Sequence, residues 1–152
     1  MENNTIKTKC DVCGKEIVVD RFGNGDGCDR CGWKQSEESF EHPNTAGIRN
    51  IPALNNAIKQ YKAGQSAILG NFNDFVAAFK NYGELEFTYN DTRYGVLFDD
   101  ENNKIALLNI KTNQKQYYID VNDFTNNAQI DGINLKLLWD SVTSTDFLQD
   151  TN

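Results

Sequence analysis

Four cysteines are the residues of this chain whose types and spacing most clearly imply chemistry. The 152-residue sequence has no others, and they form two Cys-x-x-Cys-Gly motifs at residues 10–14 and 28–32, in the pattern C-x2-C-x14-C-x2-C. Four thiolates at this spacing suit a tetrahedral ion such as zinc. A site with four protein ligands leaves no open position for a substrate. The sequence therefore predicts a structural Zn²⁺ whose ligands are Cys10, Cys13, Cys28 and Cys31.

Other uses of the four cysteines are less consistent with the sequence. The paired motifs also fit an iron site of the rubredoxin type, which would imply a redox role. Two disulfides are disfavoured, because the chain begins without an apolar signal segment, and redox catalysis normally uses one Cys-x-x-Cys motif near a βαβ pattern. Reduced cysteines without a signal segment predict a cytoplasmic protein of a bacterial host cell.

Catalytic residues are hard to find in this sequence. His42 is the only histidine, so a histidine-based catalytic metal site is excluded, and we interpret His42 as a surface or loop residue. The acidic run at residues 99–103 lacks the glycine and the terminal glutamate of an EF-hand loop, and it fits a solvated hairpin turn. We find no constellation that demands catalysis, and the sequence predicts that the protein is not an enzyme.

The net charge of −7 is concentrated in one half of the chain. Residues 1–83 hold ten basic and ten acidic side chains, whereas residues 84–152 hold five basic and twelve acidic ones. Free nucleic acid is a poor partner for such a chain, because binding it depends on Lys and Arg at the phosphates. A basic protein surface is a better partner. The candidate contact residues are Glu84, Glu86, Asp99, Asp100, Glu101, Asp120 and Asp123.

The first part of the chain is predicted to be a zinc ribbon spanning residues 1–50. Residues 1–9 are expected to be a loose lead-in, and the β-branched run at residues 15–22 predicts a strand. A glycine-rich turn at residues 23–27 leads to the second cysteine motif. Residues 34–49 are polar and are expected to be irregular. So small a core predicts that bound metal supplies the folding free energy of this module.

Two helices are predicted to form a connector at residues 51–83. In the first, which is expected to begin at Pro52, apolar residues recur at helical spacing: Leu54, Ala57, Ile58 and Tyr61. The second spans residues 71–82, with Asn71 as its cap. Its aromatic stripe is interpreted as core rather than as a ligand site, and consists of Phe72, Phe75, Val76, Phe79 and Tyr82.

Residues 84–152 are predicted to be an acidic antiparallel β-sheet module with C-terminal helices. Alternating and apolar runs at residues 85–89, 93–98, 104–110 and 115–120 predict a four-stranded meander whose third strand is central. A short helix is expected at residues 121–126, capped by Asp120, and a last helix carries Leu135, Leu138, Trp139 and Val142. Residues 143–152 are expected to fray. The fold class is thus α+β.

From the second cysteine motif onward, the sequence resembles the bacterial cysteine-rich family named for its Cys-Pro-Cys-Cys (CPCC) motif. The resemblance covers about residues 10–62 and rests on Cys28, Cys31, Trp33, Phe40, Pro43, Gly47, Asn50, Leu54, Ala57 and Tyr61. The first motif lacks the family's adjacent cysteines, and Asp29 stands where the family has proline. The resemblance implies a zinc ribbon and no defined activity.

A second resemblance is to small proteins of phages and mobile elements. It rests on the pattern Ile130-Asp131-Gly132, Leu135-Lys136 and Leu138-Trp139-Asp140. Acidic chains of this size and class are often inhibitors, and the resemblance implies a non-enzymatic inhibitor, most concretely an anti-CRISPR protein that blocks DNA loading by a CRISPR effector nuclease. Two alternatives remain open: an immunity protein of a bacterial toxin system, and a zinc-ribbon adaptor for nucleic acid or protein.

Overall fold

The computed structural model describes residues 5–148, and the chain divides into two compact units with their boundary between Gly70 and Asn71. The fold is mixed α and β, as the sequence predicts. The boundary lies between the two helices that the sequence grouped into one connector. No helix within residues 5–148 is long and apolar enough to cross a membrane.

The N-terminal unit combines a hairpin with two helices. Its elements are β1 (Thr5–Lys9), β2 (Glu16–Asp20), α1 (Glu37–Glu41) and α2 (Leu54–Lys62). The expectation of a loose lead-in is wrong for residues 5–9, because they pair antiparallel with β2, and Ile6 lies opposite Val19. Residues 1–4 of that lead-in lie outside the described residues.

The expectation that residues 34–49 are irregular is also wrong at α1. The hydroxyl of Ser36 caps this helix by accepting from the main-chain amide of Ser39 at 3.0 Å. Serine at this position satisfies an amide that the first turn leaves unpaired. The helix presents Phe40 to solvent, with the side chain 65% exposed.

The C-terminal unit is built on one five-stranded sheet. Its elements are α3 (Phe72–Tyr82), β3 (Glu84–Tyr89), β4 (Thr92–Asp99), β5 (Lys104–Asn109), β6 (Lys115–Tyr118), α4 (Val121–Asn127), β7 (Gln129–Ile130), β8 (Ile133–Asn134), α5 (Leu135–Leu138), a 3₁₀ turn (Trp139–Ser141) and β9 (Val142–Phe147). The strand order is β6-β5-β4-β3-β9, and β7 pairs with β8 in a separate small hairpin.

Strand β9 corrects four expectations about the C-terminal unit. It pairs antiparallel with β3, so that Leu85 lies opposite Phe147, and the sheet has five strands rather than four. The predicted last helix is shorter, since Val142 already belongs to β9, and the tail is ordered through Phe147 instead of fraying. Residues 149–152 lie outside the described part. The added strand also makes β4 the central strand instead of β5.

Aromatic side chains of the helices pack against one face of the sheet. Phe75 of α3 meets Phe87 of β3 edge-on at 5.7 Å between ring centroids, and Phe79 stacks on Phe98 at 4.9 Å. Phe124 of α4 lies 6.5 Å from Phe79. The predicted core role of the α3 stripe is confirmed for its buried residues, Phe72, Phe75, Val76 and Phe79, but is wrong for Tyr82, which is 57% exposed. The cap is also as predicted, because the Asn71 side chain accepts from the Asp74 amide at 2.7 Å.

Candidate functional site

The four cysteines converge on one point in the N-terminal unit. Their sulfur atoms all lie within 4.8 Å of one another, so the group could hold a metal ion. The closest pairs cross between the two motifs: the Sγ atoms of Cys10 and Cys31 are 3.6 Å apart, and those of Cys13 and Cys28 are 3.5 Å apart. All four are free thiols rather than disulfides. The sequence spacing therefore predicted a real cluster.

The two cysteine motifs have the same backbone geometry. The Cys10 amide donates to the carbonyl of Lys15 at 2.8 Å, and the Cys28 amide donates to the carbonyl of Trp33 at 2.9 Å. In each motif the glycine amide donates back to the first cysteine's carbonyl, over 2.9 Å at Gly14 and 2.7 Å at Gly32. Both glycines have positive φ, +78° and +83°. These turns carry the paired sulfurs to the same side of the backbone.

Apolar residues from distant parts of the N-terminal unit cover the cysteine cluster. Trp33 is 1% exposed, and helix α2 adds Leu54 at 5% and Ala57 at 0% to the same core. Val12 and Ala67 complete its buried part. The apolar stripe of α2 is evident from the sequence, but its contact with the cysteines is not. The core around the cluster is therefore larger than the hairpin alone provides.

Three of the four thiols have shifted pKa values. Burial raises the pKa of the Cys10 thiol and that of the Cys31 thiol. Burial also acts on Cys28, but main-chain amides of Cys31 and Arg30 donate to its sulfur and lower its pKa to about 7. Cys28 thus ionises more easily than Cys10 or Cys31. Because metal ligation requires thiolates, binding of a cation would release protons from the buried thiols.

Polar side chains hold the loops around the cluster, and of these only Asn50 appears in the sequence analysis, as part of the family resemblance and without a structural role. The buried amide of Asn50 accepts from the main-chain amide of Lys34 and donates to its carbonyl, both at 2.9 Å. Gln35 is 8% exposed, and its Oε1 accepts from the Asp11 amide at 3.1 Å. Arg49 donates to the Gln35 carbonyl at 3.1 Å. A buried amide after a cysteine motif gives no distinctive sequence pattern, and this network was therefore missed.

In the C-terminal unit, three of the candidate acidic residues line one shallow depression. Asp99 is the last residue of β4, Asp100 begins the turn that follows, and Asp120 comes from the start of α4. The depression has a volume of about 200 Å³, and its lining includes Phe98 and Ile119, which are 48% and 73% exposed. We call this feature the acidic depression. It places carboxylates around exposed apolar side chains.

Two of the candidate acidic residues also have local structural roles. Asp99 accepts from the Asn102 side chain at 2.8 Å, and this bond, with main-chain amides in the turn, holds the pKa of Asp99 below its usual value. Asp123 accepts from the Ile119 amide at 2.9 Å, which lowers the pKa of that carboxyl. Both groups therefore stay ionised at neutral pH.

The remaining candidates are distributed over two places. Glu101 lies in the same turn as Asp99 and is exposed, and Asp120 caps α4 by accepting from the Asp123 amide at 2.8 Å. Glu84 and Glu86 lie on β3 and do not line the acidic depression. Glu86 is paired with Arg93 at 2.7 Å, which neutralises its charge locally.

Similarity to known proteins provides no further information on this site. Comparisons of the chain with protein-family models, with curated proteins and with solved structures found no match.

Proposed function

We propose that the cysteine cluster binds one Zn²⁺ and that the N-terminal unit is a zinc ribbon stabilised by it. A tetrahedral site with Zn–S bonds of about 2.3 Å has sulfur–sulfur edges of about 3.8 Å. The observed separations of 3.5 and 3.6 Å, with none above 4.8 Å, fit an ion at the centre with small adjustments. Four protein ligands fill a tetrahedral ion, so the metal acts on stability rather than on a substrate.

Elemental analysis of the purified protein tests this part of the proposal. We expect about one zinc per chain and colourless protein, with loss of zinc in the Cys13→Ser variant. Cys13 is only half-buried, which makes this substitution less disruptive than one at the buried Cys10. Visible absorbance with stoichiometric iron would contradict the zinc assignment and favour a redox role.

We further propose that the chain is a non-enzymatic inhibitor that binds a basic protein surface through the acidic depression. The supporting observation is the position of Asp99, Asp100 and Asp120 around the exposed side chains of Phe98 and Ile119. Apolar contact supplies affinity, whereas ionised carboxylates steer encounter and select a basic partner. Lys104 is the one basic residue in the lining, so negative charge predominates there.

The most concrete form of this proposal is an anti-CRISPR protein. A nuclease that loads DNA needs a basic channel for the phosphates. Carboxylates held at that channel would compete with the phosphates for the same Lys and Arg side chains. On this proposal the acidic depression contacts the channel, and Glu84 and the paired Glu86 are of secondary importance.

Charge reversal at the turn after β4 tests the proposal. We chose Asp100→Lys/Glu101→Lys because both residues are exposed, whereas Asp99 closes the turn through its hydrogen bonds. The matched control is Asp140→Lys/Asp146→Lys, which makes the same charge change at exposed positions of the same unit. Binding to a CRISPR effector nuclease is measured by pull-down and by calorimetry at two salt concentrations.

We expect the turn variant to lose most of its binding and the control to keep it. Affinity of the unmodified protein should fall with added salt, because exposed charges are screened. Equal loss in both variants would contradict a localised contact. No binding of the unmodified protein to any effector would contradict the anti-CRISPR form.

A further inference from the structure

The glycine-rich turn between β2 and the second cysteine motif contains two dipeptides whose main chain can react with a side chain. They are Asn24-Gly25 and Asp26-Gly27. Glycine has no side chain to hinder the approach of its main-chain nitrogen. This nitrogen can therefore attack the side-chain carbonyl carbon of a preceding Asn or Asp and close a five-membered succinimide ring. None of the roles proposed above uses this turn.

The reaction at Asn24 needs water as its only co-reactant. The deprotonated amide nitrogen of Gly25 forms a bond to the Cγ atom of Asn24, and the side-chain nitrogen leaves as ammonia. Water then adds to either carbonyl of the succinimide and breaks the bond from that carbonyl to the ring nitrogen. One direction gives aspartate, and the other gives isoaspartate, in which the main chain runs through the former side chain. Either product adds a negative charge to the turn.

In the folded protein the attacking nitrogen is engaged elsewhere. The Gly25 amide donates to the Gln35 carbonyl at 2.9 Å, and Gly25 is buried. An amide in a buried hydrogen bond is deprotonated by base only when the structure opens locally. The first step at Asn24 is therefore blocked while this bond is intact.

Two further features hold the turn closed around Gly25. A Cβ atom on Gly25 would lie 3.3 Å from both the Gln35 Cβ atom and the Val19 Cγ1 atom, so the backbone is tightly packed there. The Asn24 carbonyl accepts from the Asp20 amide at 2.9 Å, and the Asn24 amide donates to the Asp20 carboxylate at 3.0 Å. The rotation that brings the Gly25 nitrogen to the Asn24 Cγ atom must break hydrogen bonds of the turn.

The second dipeptide has the opposite surroundings. Asp26 and Gly27 are both exposed, and within residues 5–148 the Gly27 amide donates no main-chain hydrogen bond. In an unfolded chain Asp-Gly is the slower of the two dipeptides, because an ionised carboxylate is a poorer electrophile than an amide. Folding thus protects the intrinsically faster site and leaves the slower site accessible.

We propose that Asn24 is a self-modification site that folding keeps unreactive, and that its reaction marks molecules whose N-terminal unit has opened. Isoaspartate adds an atom to the main chain between residues 24 and 25. With this longer backbone the tightly packed Gly25 cannot return to its place beside Gln35, so the modified turn stays open. Opening followed by reaction is therefore a one-way step. The inference rests on the hydrogen bonds of the turn and is independent of zinc and of the acidic depression.

The test is incubation of the full-length protein at mildly alkaline pH in ¹⁸O-labelled water, followed by peptide mass spectrometry. It is carried out in native buffer and in urea with a metal chelator, which opens the unit whether or not it holds an ion. We expect Asn24 to react at least about tenfold more slowly in the folded protein, because reaction through a rarely populated open state is slowed by the opening equilibrium. The Asp26 rate should change far less, so the faster site should switch from Asp26 to Asn24 on unfolding.

A pair of variants on β2 locates the cause of the protection. Val19 is 4% exposed, and Val19→Ala removes a side chain that packs against Gly25. This variant should speed the reaction of Asn24 in native buffer, because the cavity weakens the closed turn. Val18→Ala, at a neighbouring position that is 57% exposed, is the matched control and should leave the rate unchanged. Deuterium exchange at Gly25 should rise in parallel with the Asn24 rate, since both need the same bond to open.

The one-way step is tested on protein that has reacted in urea and been returned to native buffer. Chromatography separates the isoaspartate peptide from the aspartate peptide of the same sample, and hydrogen exchange is read on each. The aspartate product is the matched control, because it has the added charge without the longer main chain. We expect Gly25 to regain its protection in the aspartate product and to exchange freely in the isoaspartate product.

Three results would overturn the proposal. Equal Asn24 rates in folded and unfolded protein would show that folding gives no protection. Asn24 rates that do not follow Gly25 exchange across the variants would show that another step controls the reaction. A protected Gly25 amide in the isoaspartate product would show that the turn closes again after reaction.

Discussion

Gly32 lies directly against Ile68: a Cβ atom on Gly32 would be 3.1 Å from the Cδ1 atom of Ile68. The equivalent glycine of the first cysteine motif, Gly14, has open space there. Alanine at either position adopts a left-handed conformation that costs about 1–2 kcal/mol. Gly32→Ala should therefore destabilise the N-terminal unit by that amount plus a packing penalty, and Gly14→Ala by the strain alone.

Urea unfolding, followed by the ¹⁹F resonance of 5-fluorotryptophan at position 33, measures the difference in the free energy of unfolding between the two glycine variants. Ile68→Ala in the Gly32→Ala background should remove the extra penalty, because the side chain that meets the new methyl group is gone. Equal destabilisation by the two glycine variants would show that the contact with Ile68 carries no cost.

The two tryptophans allow metal removal to be followed separately in the two units. Trp33 is 1% exposed beside the cysteine cluster, whereas Trp139 contacts Phe72 and Phe75 at centroid distances of 5.3 and 4.9 Å. Incorporated 5-fluorotryptophan gives one ¹⁹F resonance for each. If zinc contributes much of the folding free energy of its module, chelation should shift the Trp33 resonance toward its unfolded position.

The Trp139 resonance is the internal control and should stay in place during chelation. Cys13→Ser should reproduce the shifted Trp33 resonance without chelator. A Trp33 resonance that is unchanged after complete zinc loss would mean that the core around α2 is sufficient for folding of the N-terminal unit.

Asn50 provides a second test of the N-terminal unit. It is 6% exposed and satisfies both main-chain polar groups of Lys34, so Asn50→Ala leaves a donor and an acceptor unpaired. We expect a loss of about 2–4 kcal/mol in the free energy of unfolding, since each unsatisfied buried group costs about 1–3 kcal/mol. Asn55→Ala is the control, because Asn55 is exposed and its side chain donates to the Asn44 side chain, at 2.8 Å. A similar loss of stability in Asn50→Ala and Asn55→Ala would contradict a stabilising role for the two hydrogen bonds between the Asn50 side chain and the Lys34 main chain.

The cysteine cluster was predictable because its signal is local. Two motifs of four residues fix their own turns, and the sequence shows both the cysteines and the glycines that end the motifs. The caps of α3 and α4 were predictable for the same reason, since Asn71 and Asp120 each bond an amide three residues onward. The turn of each cysteine motif and the cap of each helix depend on interactions within a few residues of the chain.

The features that the sequence analysis missed depend on long-range pairing. Strand β9 is mostly polar, and its strand partner β3 lies more than fifty residues earlier in the sequence. Strand β1 likewise depends on β2. The acidic depression also depends on long-range structure. Asp99 and Asp120 are 21 residues apart in the sequence, yet both line the acidic depression. Hydrophobic periodicity and charge counts do not show which distant residues of the chain lie close together in the fold.

The stability of the C-terminal unit should depend on pH through Asp99. Hydrogen bonds, first that from the Asn102 side chain, lower the pKa of Asp99 in the folded state. Below the unfolded pKa, near 3.9, the unfolded state therefore binds more protons, and the stabilisation is lost as pH falls through the folded pKa. Above that window it is fully present.

Asp99→Asn tests the assignment. The variant should be less stable than the unmodified protein at pH 7, and the difference should shrink as pH falls below about 4. Urea unfolding followed by the ¹⁹F resonance of Trp139 gives both values. Asp100→Asn, at an exposed position in the same turn, is the matched control and should show no such convergence. A constant difference between Asp99→Asn and the unmodified protein at all pH values would contradict a charge-dependent bond.

Hydrogen exchange tests the strand that closes the sheet. Residues 142–147 pair with β3, and the strand's first residue, Val142, is 3% exposed. The β9 amides that bond to β3 should exchange far more slowly than the amides of residues 111–114, which form an exposed turn. Val142→Ala should speed exchange along β9 and destabilise the C-terminal unit by about 1–2 kcal/mol through the cavity it leaves. Thr143→Ala, at an exposed position of the same strand, should have little effect. Exchange in β9 as fast as in the turn would mean that β9 does not pair stably and that β3 is the edge strand of the sheet.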